Sequence, residues 1–486
     1  AGNYRVRERS ADGIPVYTYF TAQNDSLAER YLAATVKYLR AYRKLFGPYP
    51  FPKFAVVENF FPTGYGFPSF TLIGGSILRL PFIVDTSLPH EIAHSWWGNG
   101  VLVDDTGGNW SEGLVTYLAD YAAEARRSAR AAASYRFRIL SDYASVVPPD
   151  KDFPLRNFGR RSDPASHSIG YGKGAMLFHM VRNEIGDKAF YEALRRVVAD
   201  KLFKPATWDD FARAFSAASG KDMVSFMAPW LDRKGAPQLS LANVARKEEG
   251  RTWLVSGVVE ERHPFSPLTV TVRAETAKGP WDTKVRVAGE RTPFSFTVTA
   301  PPKRLVLDPD SDILRLLEPR EIPPSVNRIK GSEALRLIVT AGCRADTETL
   351  HGLLTSLGQG RAPILREEDV TAAQLAAHDL IYCGLPATPA ALPALPEGTA
   401  LSPREFTVDR ERFAKPGDAL FMVLSATRGG GERTVALFLP LSAEAAALSM
   451  PKITHYGKFG FLVFEGGTNK AKGLFPPAQG RSVVAF

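Results

Sequence analysis

The 486-residue sequence predicts a multidomain protein of the α+β class. The chain is longer than the roughly 250–300 residues that a single hydrophobic core usually serves. Its apolar residues recur at helical spacing between about residues 86 and 235, and they alternate as in strands from residue 237 to about 319. Strands of buried type and helical stretches then follow one another. We therefore expect a mainly helical domain, then an immunoglobulin-like β-sandwich, then an α/β domain.

The predicted domain boundaries lie where these patterns change. The first domain is expected over residues 1–236. Short strand-like runs separated by glycine, proline and charged turns indicate the sandwich over residues 237–325. Residues 318–325 are rich in proline and predict a stiff linker. Residues 326–486 form the expected accessory α/β domain, in which no phosphate-binding loop is recognised.

The composition excludes several classes of protein. Apolar residues make up 45% and charged residues 23% of the chain, which is typical of a soluble globular protein. No apolar run approaches the ~18 residues of a transmembrane segment, so none is expected. The net charge is +9 and the pI about 9.3, but the basic residues are scattered. We therefore expect a solvated basic surface and no nucleic-acid partner.

The cysteine content is low. The two cysteines, Cys343 and Cys383, form neither a disulfide scaffold nor a Cys-x-x-Cys metal motif. Each follows an apolar, strand-like run, so the two could lie at neighbouring strand ends. We expect two buried thiols, with a bridge between them as the alternative.

A histidine motif carries the clearest chemical signal. Residues 90–94 read His-Glu-Ile-Ala-His and directly follow a helix-start signal at residues 85–89. Residues four apart lie on one face of a helix, so His90 and His94 project towards a common point. Their two nitrogens are half of a tetrahedral zinc site. Glu91, at the rim of this face, is expected to act as general base on the metal's water. The alternative is a pair of surface histidines.

A third ligand is predicted in the next helix. The first helix should end near Gly98, and a second should begin near Ser111. An antiparallel return of the chain would bring Glu112 against the histidine pair. Three protein ligands leave the fourth position to water, as in catalytic zinc sites, so we expect one zinc ion per chain. Glu112 would also suit the positive end of a helix, but that role does not account for its neighbours.

The residues around the motif make it specific. Residues 90–99, followed by Trp-Ser-Glu-Gly at 110–113, resemble the zinc signature of the aminopeptidase N and leukotriene hydrolase family of gluzincins. Other segments that resemble parts of this family lie at residues 46–50, 171–175, 211–237 and 305–309. The resemblance covers roughly residues 15–320. It implies a thermolysin-like catalytic domain in residues 1–236 and zinc-dependent hydrolysis of peptide bonds.

The resemblance also implies a role for each residue of the site. His90, His94 and Glu112 would bind zinc. Glu91 would serve as general base and then as general acid in the attack of zinc-bound water on a peptide. Tyr171, in a Tyr-Gly-Lys-Gly segment, would donate its phenolic hydrogen to the oxyanion. Without the family, Tyr171 is one of 16 tyrosines, for which core packing is the default.

The sequence departs from the family where the substrate's amino terminus is bound. The family's Gly-x-Met-Glu-Asn strand grips that terminus with its Glu, but residues 64–68 of this chain read Gly-Tyr-Gly-Phe-Pro. Gly64, Tyr65 and Gly66 are candidates for lining the substrate site. The missing charge-assisted hydrogen bond is worth about 1.5–3 kcal/mol. Glu58 could substitute, although a strand-end role is favoured. We expect aminopeptidase-like hydrolysis with atypical amino-terminus recognition, or else cleavage of blocked peptides or internal bonds.

Two further departures concern the spacing of the metal-binding motif and the part of the family that the chain resembles. The spacing from His94 to Glu112 is one residue shorter than in the family. Only residues 16–20 resemble the family's amino-terminal β-domain. We therefore expect either a shortened chain, whose upstream β-domain is a candidate partner, or a reduced member of the family. A periplasmic or secreted location is favoured over a cytoplasmic one. A catalytically silent peptide-binding protein and an envelope interaction protein remain as alternatives, and the intact motif argues against the former.

Overall fold

A computed structural model describes residues 2–104, 106–263, 267–475 and 480–486 of the chain. Helices and strands both contribute substantially, and the strands form several separate sheets, so the prediction of a multidomain α+β protein is confirmed. The chain divides into two compact units, Ala1–Leu316 with Ser482–Phe486 and Leu317–Arg481. None of the described helices is both long and apolar enough to cross a lipid bilayer.

A five-stranded sheet begins the first unit. Its strands lie in the order Arg5–Ala11, Ile14–Phe20, Phe54–Asn59, Phe70–Gly74 and Gly64–Phe67. The middle three strands are parallel, and each outer strand is antiparallel to its neighbour. The helix Ala28–Phe46 packs on this sheet because its buried residues recur every three or four positions. Among the described residues, Gly64–Phe67 pairs on one side only and so leaves an open edge.

Helices dominate the segment between residues 75 and 232. The π-helical segments Thr116–Tyr121 and Ser168–Lys173 interrupt them, and such segments are frequent at functional sites. A small sheet pairs the strands Trp97–Gly98, Val101–Val103 and Pro205–Ala206. The α-helices of this segment are Gly75–Leu78, Ser87–Ala93, Ser111–Val115, Ala122–Arg127, Ala129–Val146, Pro164–His167, Gly174–Lys201, Trp208–Ser219 and Met223–Asp232.

Two sheets in contact with each other complete the first unit. One has the strand order Arg291–Val298, Thr252–Arg262, Gln238–Glu249. The other has the order Gly279–Val287, Leu268–Thr276, Pro302–Leu307, Val483–Ala485. The last of these strands comes from the end of the chain, which the sequence analysis assigned to the accessory domain. A three-residue strand carries no periodic signal, so only its pairing with Pro302–Leu307 reveals where it belongs.

The second unit is built on a seven-stranded mixed sheet. Its strands lie in the order Ile364–Arg366, Leu335–Val339, Asp379–Cys383, Gly431–Pro440, Asp418–Arg428, Phe461–Glu465 and Thr468–Gly473. The first four are mutually parallel, and the last three are each antiparallel to the preceding neighbour. The α-helices are Val326–Lys330, Thr347–Ser356, Ala372–Ala377 and Ala443–Ile453. A separate small sheet contains Ala400–Leu401, Phe406–Val408 and Glu411–Phe413.

The expectation of two separate buried thiols is wrong, because Cys343 and Cys383 form a disulfide. The strands Leu335–Val339 and Asp379–Cys383 are parallel neighbours, with Val339 opposite Cys383. The residues that follow the first strand therefore come beside the end of the second, where the two Cα atoms are 5.0 Å apart. This spacing allows a bridge without backbone movement.

Removal of this bridge should destabilise the second unit. The bridge closes a loop across a sequence separation of 40, so Cys343→Ser with Cys383→Ser should lower the free energy of unfolding by about 2–4 kcal/mol. Urea unfolding of the full chain measures the loss. Reductant should destabilise the original protein similarly and leave the double variant unchanged. An identical urea midpoint for the unmodified chain and the double variant, both measured without reductant, would contradict the prediction.

Candidate metal centre

The first half of the site is a short helix anchored on its apolar side. Leu88 and Ile92 of the helix Ser87–Ala93 are fully buried. The Tyr42 hydroxyl donates to the carbonyl of Pro89 at 3.1 Å and ties this helix to Ala28–Phe46. His90 and His94 project from the opposite face, with ring centroids 5.0 Å apart.

The chain then reverses through a tryptophan-rich turn. Trp96, Trp97 and Trp110 are all fully buried, and the rings of Trp97 and Trp110 meet edge to face. Gly98 has φ of +113°, a left-handed conformation that glycine adopts without strain. A Cβ at Gly98 would also lie 2.8 Å from the Ser111 hydroxyl oxygen. The turn therefore brings the helix Ser111–Val115 back beside the two histidines.

This return places Glu112 against the histidine pair. Its Oε2 lies 3.6 Å from Nε2 of His90 and 3.4 Å from Nε2 of His94. One ligand atom from each of the three residues lies within 4.8 Å of the others, so the group can hold a metal ion. Oε2 of Glu112 is buried and has no hydrogen-bond partner in the described residues. Two imidazoles and one carboxylate form a donor set that zinc commonly takes, and the unpartnered oxygen fits a cation.

Each histidine is oriented by an acceptor behind it. Nδ1 of His90 lies 3.0 Å from Oδ2 of Asp120, and Nδ1 of His94 lies 2.9 Å from the Trp97 carbonyl oxygen. Donation from Nδ1 to these acceptors leaves both Nε2 atoms free to bind a metal. Burial lowers the pKa of His90, but the Asp120 carboxylate opposes it and holds that pKa well above its usual value. The field at the site thus favours positive charge.

Asp120 was missed by the sequence analysis, although a signal for it existed. It follows Glu112 by two turns of the same helical stretch and therefore returns to the face that carries the ligand. A carboxylate behind a ligating histidine is a recurrent feature of metal sites. The Trp97 carbonyl had no such signal, since a backbone acceptor leaves no trace in the sequence.

Two glycines let the ligand helix Ser111–Val115 approach the start of the helix Gly174–Lys201, which directly follows the π-helical segment that carries Tyr171. A Cβ at Gly113 would lie 2.8 Å from the Cα of Gly174, and one at Gly174 would lie 3.0 Å from the Cα of Gly113. Only hydrogens fit between these backbones. Buried Lys173 then donates from Nζ to the carbonyls of Arg233 and Gly235, each at 3.0 Å. Burial lowers the pKa of Lys173 to about 8.

Tyr171 lies beside the ligands. Its ring is nearly parallel to that of His90 at a centroid distance of 6.5 Å, and it packs on His167 at 4.5 Å. Burial and the negative charge of Glu112 raise the pKa of Tyr171 well above its usual value. The phenol therefore keeps its proton and remains a hydrogen-bond donor.

Glu91 points at the open edge of the five-stranded sheet. A Cβ at Gly64 would lie 2.9 Å from Oε1 of Glu91, and one at Gly66 would lie 2.9 Å from Oε2. The carboxylate fills the space above two residues that have no side chain. Burial raises the pKa of Glu91, and the two histidine ligands oppose this rise.

The edge strand Gly64–Phe67 offers its backbone but no acid. The carbonyls of Thr63 and Tyr65 accept hydrogen bonds from the neighbouring strand, at 3.0 Å each. Backbone groups of alternate residues point to opposite sides of a strand, so those of Gly64 and Gly66 face the open edge. The Tyr65 side chain is half exposed.

Glu58, the predicted substitute for the missing acid, is committed elsewhere. Its carboxylate accepts from the backbone N–H of Thr21 at 2.7 Å and from Nδ2 of Asn24 at 2.8 Å. The residue is buried. Glu58 therefore has the strand-end role that the sequence analysis favoured.

The part of the chain that contains this centre is similar in sequence to known proteins. Residues 83–230 match the Peptidase family M1 domain. Aminopeptidase 2, mitochondrial, of Saccharomyces cerevisiae is 26% identical over 247 residues, which are 47% of this chain and 26% of that protein. Aminopeptidase M1 of Arabidopsis thaliana is 24% identical over 283 residues, 54% of this chain and 32% of that protein.

A bacterial relative gives the same picture. Aminopeptidase N of Lactococcus lactis subsp. lactis is 28% identical over 162 residues, 31% of this chain and 19% of that protein. The chain thus spans no more than about a third of the length of these three curated relatives. The predicted resemblance to gluzincins of the aminopeptidase N type is confirmed.

Asp120 should be needed for tight metal binding. Asp120→Ala removes the acceptor that fixes His90, so affinity for a divalent metal should fall by about 10–100-fold. Competition with a metal-binding dye measures this affinity. Asp222→Ala is the matched control, because Asp222 caps a different helix. Equal affinities for Asp120→Ala and the unmodified chain would rule out an orienting role.

Proposed function

We propose that this chain, whose residues 83–230 match the Peptidase family M1 domain, is a zinc metallopeptidase that hydrolyses peptide bonds. The observation that carries the proposal is the convergence of His90, His94 and Glu112, where Oε2 of Glu112 lies near Nε2 of both histidines. A buried carboxylate oxygen without a hydrogen-bond donor is costly, and a bound cation relieves that cost. The aminopeptidase names of the relatives support peptides as the substrate class.

In this proposal His90, His94 and Glu112 hold one zinc ion per chain. Such an ion supplies Lewis-acid chemistry, which polarises a carbonyl and lowers the pKa of water. Asp120 and the Trp97 carbonyl keep the two histidines in the tautomer that presents Nε2. The three protein ligands leave room for water and substrate, as catalytic sites require.

Glu91 is the proposed general base and acid. It takes a proton from the attacking water and passes it to the nitrogen of the leaving amine, so that the C–N bond breaks without release of an amide anion. Its position beside both histidines and under the open edge strand supports this role. Burial, which raises its pKa, makes the carboxylate a stronger base.

Tyr171 is the proposed donor to the oxyanion. Its ring lies beside that of His90 and its phenol stays protonated, so it can donate to the carbonyl oxygen as negative charge develops there. Tyr171 donates a hydrogen bond, whereas Glu91 transfers the proton of the water, so the two residues have different roles.

We further propose that amino-terminus recognition is atypical. Gly64 and Gly66 present backbone N–H and C=O groups to an extended substrate, and Tyr65 of the same strand lines the proposed substrate site. The strand carries no carboxylate for an ammonium group, and Glu58 is engaged by Thr21 and Asn24. The acid-free strand also favours a second candidate, cleavage of blocked peptides or internal bonds at the same centre.

The proposed domains are a thermolysin-like catalytic domain over residues 1–236, a β-sandwich over 237–325 and an accessory α/β domain over 326–486. The strand Val483–Ala485 is an exception within the third, since it pairs with a sandwich strand. The disulfide of the second unit supports a periplasmic or secreted location, where oxidising conditions preserve such bridges.

Removal of the proposed base should separate metal binding from catalysis. Glu91→Gln keeps the shape of the side chain but cannot take a proton, so turnover of a peptide should fall by about 10²–10⁴-fold. Zinc content, measured by elemental analysis, should stay at one ion per chain. Glu192→Gln, on an exposed helical face, is the matched control. Turnover within twofold of the unmodified chain would refute the assignment.

A free amino terminus should contribute little to substrate binding. A peptide and its amino-terminally acetylated form should give kcat/KM values within about threefold of each other. A carboxylate partner worth about 1.5–3 kcal/mol would instead separate them by roughly 10–150-fold. Mass spectrometry of the products assigns the cleaved bonds.

Glu58→Gln provides the control for this comparison. It should leave the ratio between the two peptides unchanged, because Glu58 bonds Thr21 and Asn24. A strong preference for the free peptide that Glu58→Gln abolishes would show that Glu58 binds the amino terminus.

A further inference from the structure

A buried polar cluster lies behind the metal centre and outside the site described so far. Its hub is Arg136, only 6% exposed, on the helix Ala129–Val146. The guanidinium donates to the Tyr121 hydroxyl at 2.7 Å and to the carbonyls of Asp310 at 2.7 Å and Ser311 at 3.1 Å. It also forms an ion pair with Asp312 at 2.9 Å.

The same carboxylate reaches the π-helical segment by a second route. Oδ1 of Asp312 lies 3.0 Å from Nε2 of His179, and Nδ1 of His179 lies 3.4 Å from the Tyr117 hydroxyl. The rings of Tyr117 and Tyr121 stack at 4.9 Å with an interplanar angle of 8°. Contacts from outside the π-helical segment therefore reach both of its tyrosines, Tyr117 through His179 and Tyr121 through Arg136.

The segment that supplies Asp312 is itself firmly set. Asp308 and Ser311 adopt left-handed φ values of +50° and +55°, which are uncommon for non-glycine residues. The Asp308 carboxylate accepts from the backbone N–H of Asp312 at 2.7 Å and pairs with Arg315 at 3.3 Å. The segment that supplies Asp312 lies outside residues 83–230, which match the family domain, and it follows the sandwich strand Pro302–Leu307.

Asp120 lies between the two held tyrosines in sequence. Its Oδ2 accepts from Nδ1 of His90, so the rotation of the π-helical segment about its axis decides whether that hydrogen bond forms. Tyr121 is the direct neighbour of Asp120, and Arg136 fixes Tyr121 through both a hydrogen bond and a cation–π contact of 5.5 Å. The position of His90 is thereby linked to the segment around Asp312.

We propose that Arg136 is a positioning residue for the metal centre. Held by residues 310–312, it fixes Tyr121 and so aims Asp120 at His90. The inference rests on the proposed function, because it assigns Arg136 to the stability of the zinc site. It also gives residues 310–312 a part in metal retention, although no contact of theirs within the described part of the chain reaches His90, His94 or Glu112.

Tyr121→Phe is the mildest test. It removes only the hydroxyl that accepts from Arg136 and leaves Arg136 bonded to residues 310–312. Zinc loss from the loaded full chain to an excess of a chelating dye should become faster by about threefold to tenfold, less than the 10–100-fold expected for a direct partner of a ligand. Tyr31→Phe is the matched control, since the buried Tyr31 hydroxyl donates to the Leu78 carbonyl away from the centre.

A double-mutant cycle tests whether the effect passes through Asp120. In an Asp120→Ala background, Tyr121→Phe should change the rate of zinc loss by less than twofold, because the contact it positions is already gone. The same fold-change in both backgrounds would show that Tyr121 does not act through Asp120 and would overturn the proposal.

Arg136→Lys completes the test. Lysine keeps the charge but loses the planar fork that contacts Tyr121, Asp310, Ser311 and Asp312 at once, so zinc loss should again accelerate. Melting temperatures recorded in parallel distinguish positioning from general support. A lower melting temperature with unchanged zinc loss in both Tyr121→Phe and Arg136→Lys would overturn the inference. An unmodified chain that retains no zinc would refute the proposed function as well.

Discussion

The chemistry of this protein depends on one buried oxygen. Oε2 of Glu112 lies within 3.6 Å of a nitrogen of His90 and of His94, and no described donor satisfies it. An ionised carboxylate withdrawn from water needs a compensating charge, so the pocket is organised for a cation. The turn through Gly98 and the close backbones of Gly113 and Gly174 serve this arrangement, because they bring the second helix to the first.

Support for the centre extends outward in layers. Asp120 and the Trp97 carbonyl orient the two histidines, and Arg136 holds the segment that carries Asp120. Asp312, at the outer end, lies beyond the sandwich strand Pro302–Leu307. In this proposal the metal centre depends on a part of the chain that lies outside the histidine motif and its return helix.

The proposed substrate side of the centre has fewer charged side chains than the metal side. Gly64 and Gly66 leave space that the Glu91 carboxylate occupies, and their backbone groups face the open edge. The strand Gly64–Phe67 has no carboxylate to bind an ammonium group, so the proposed recognition of a peptide uses shape and backbone hydrogen bonds. Under the proposed function, bond cleavage requires the metal centre, whereas selection of a free amino terminus requires an additional acid that this strand does not supply.

The sequence alone determined what depends on local spacing. A four-residue interval in one helix predicted the pairing of His90 and His94, and Glu112 followed from a single helix–turn–helix return. Asp120 carried a usable signal two turns further on. The Arg136–Asp312 pair and the pairing of Val483–Ala485 with the sandwich join distant segments and carried no such signal. The Cys343–Cys383 bridge was indicated only as the less favoured alternative. Helical periodicity is written in neighbouring residues, whereas the closure of long loops is decided only when packing brings their ends together.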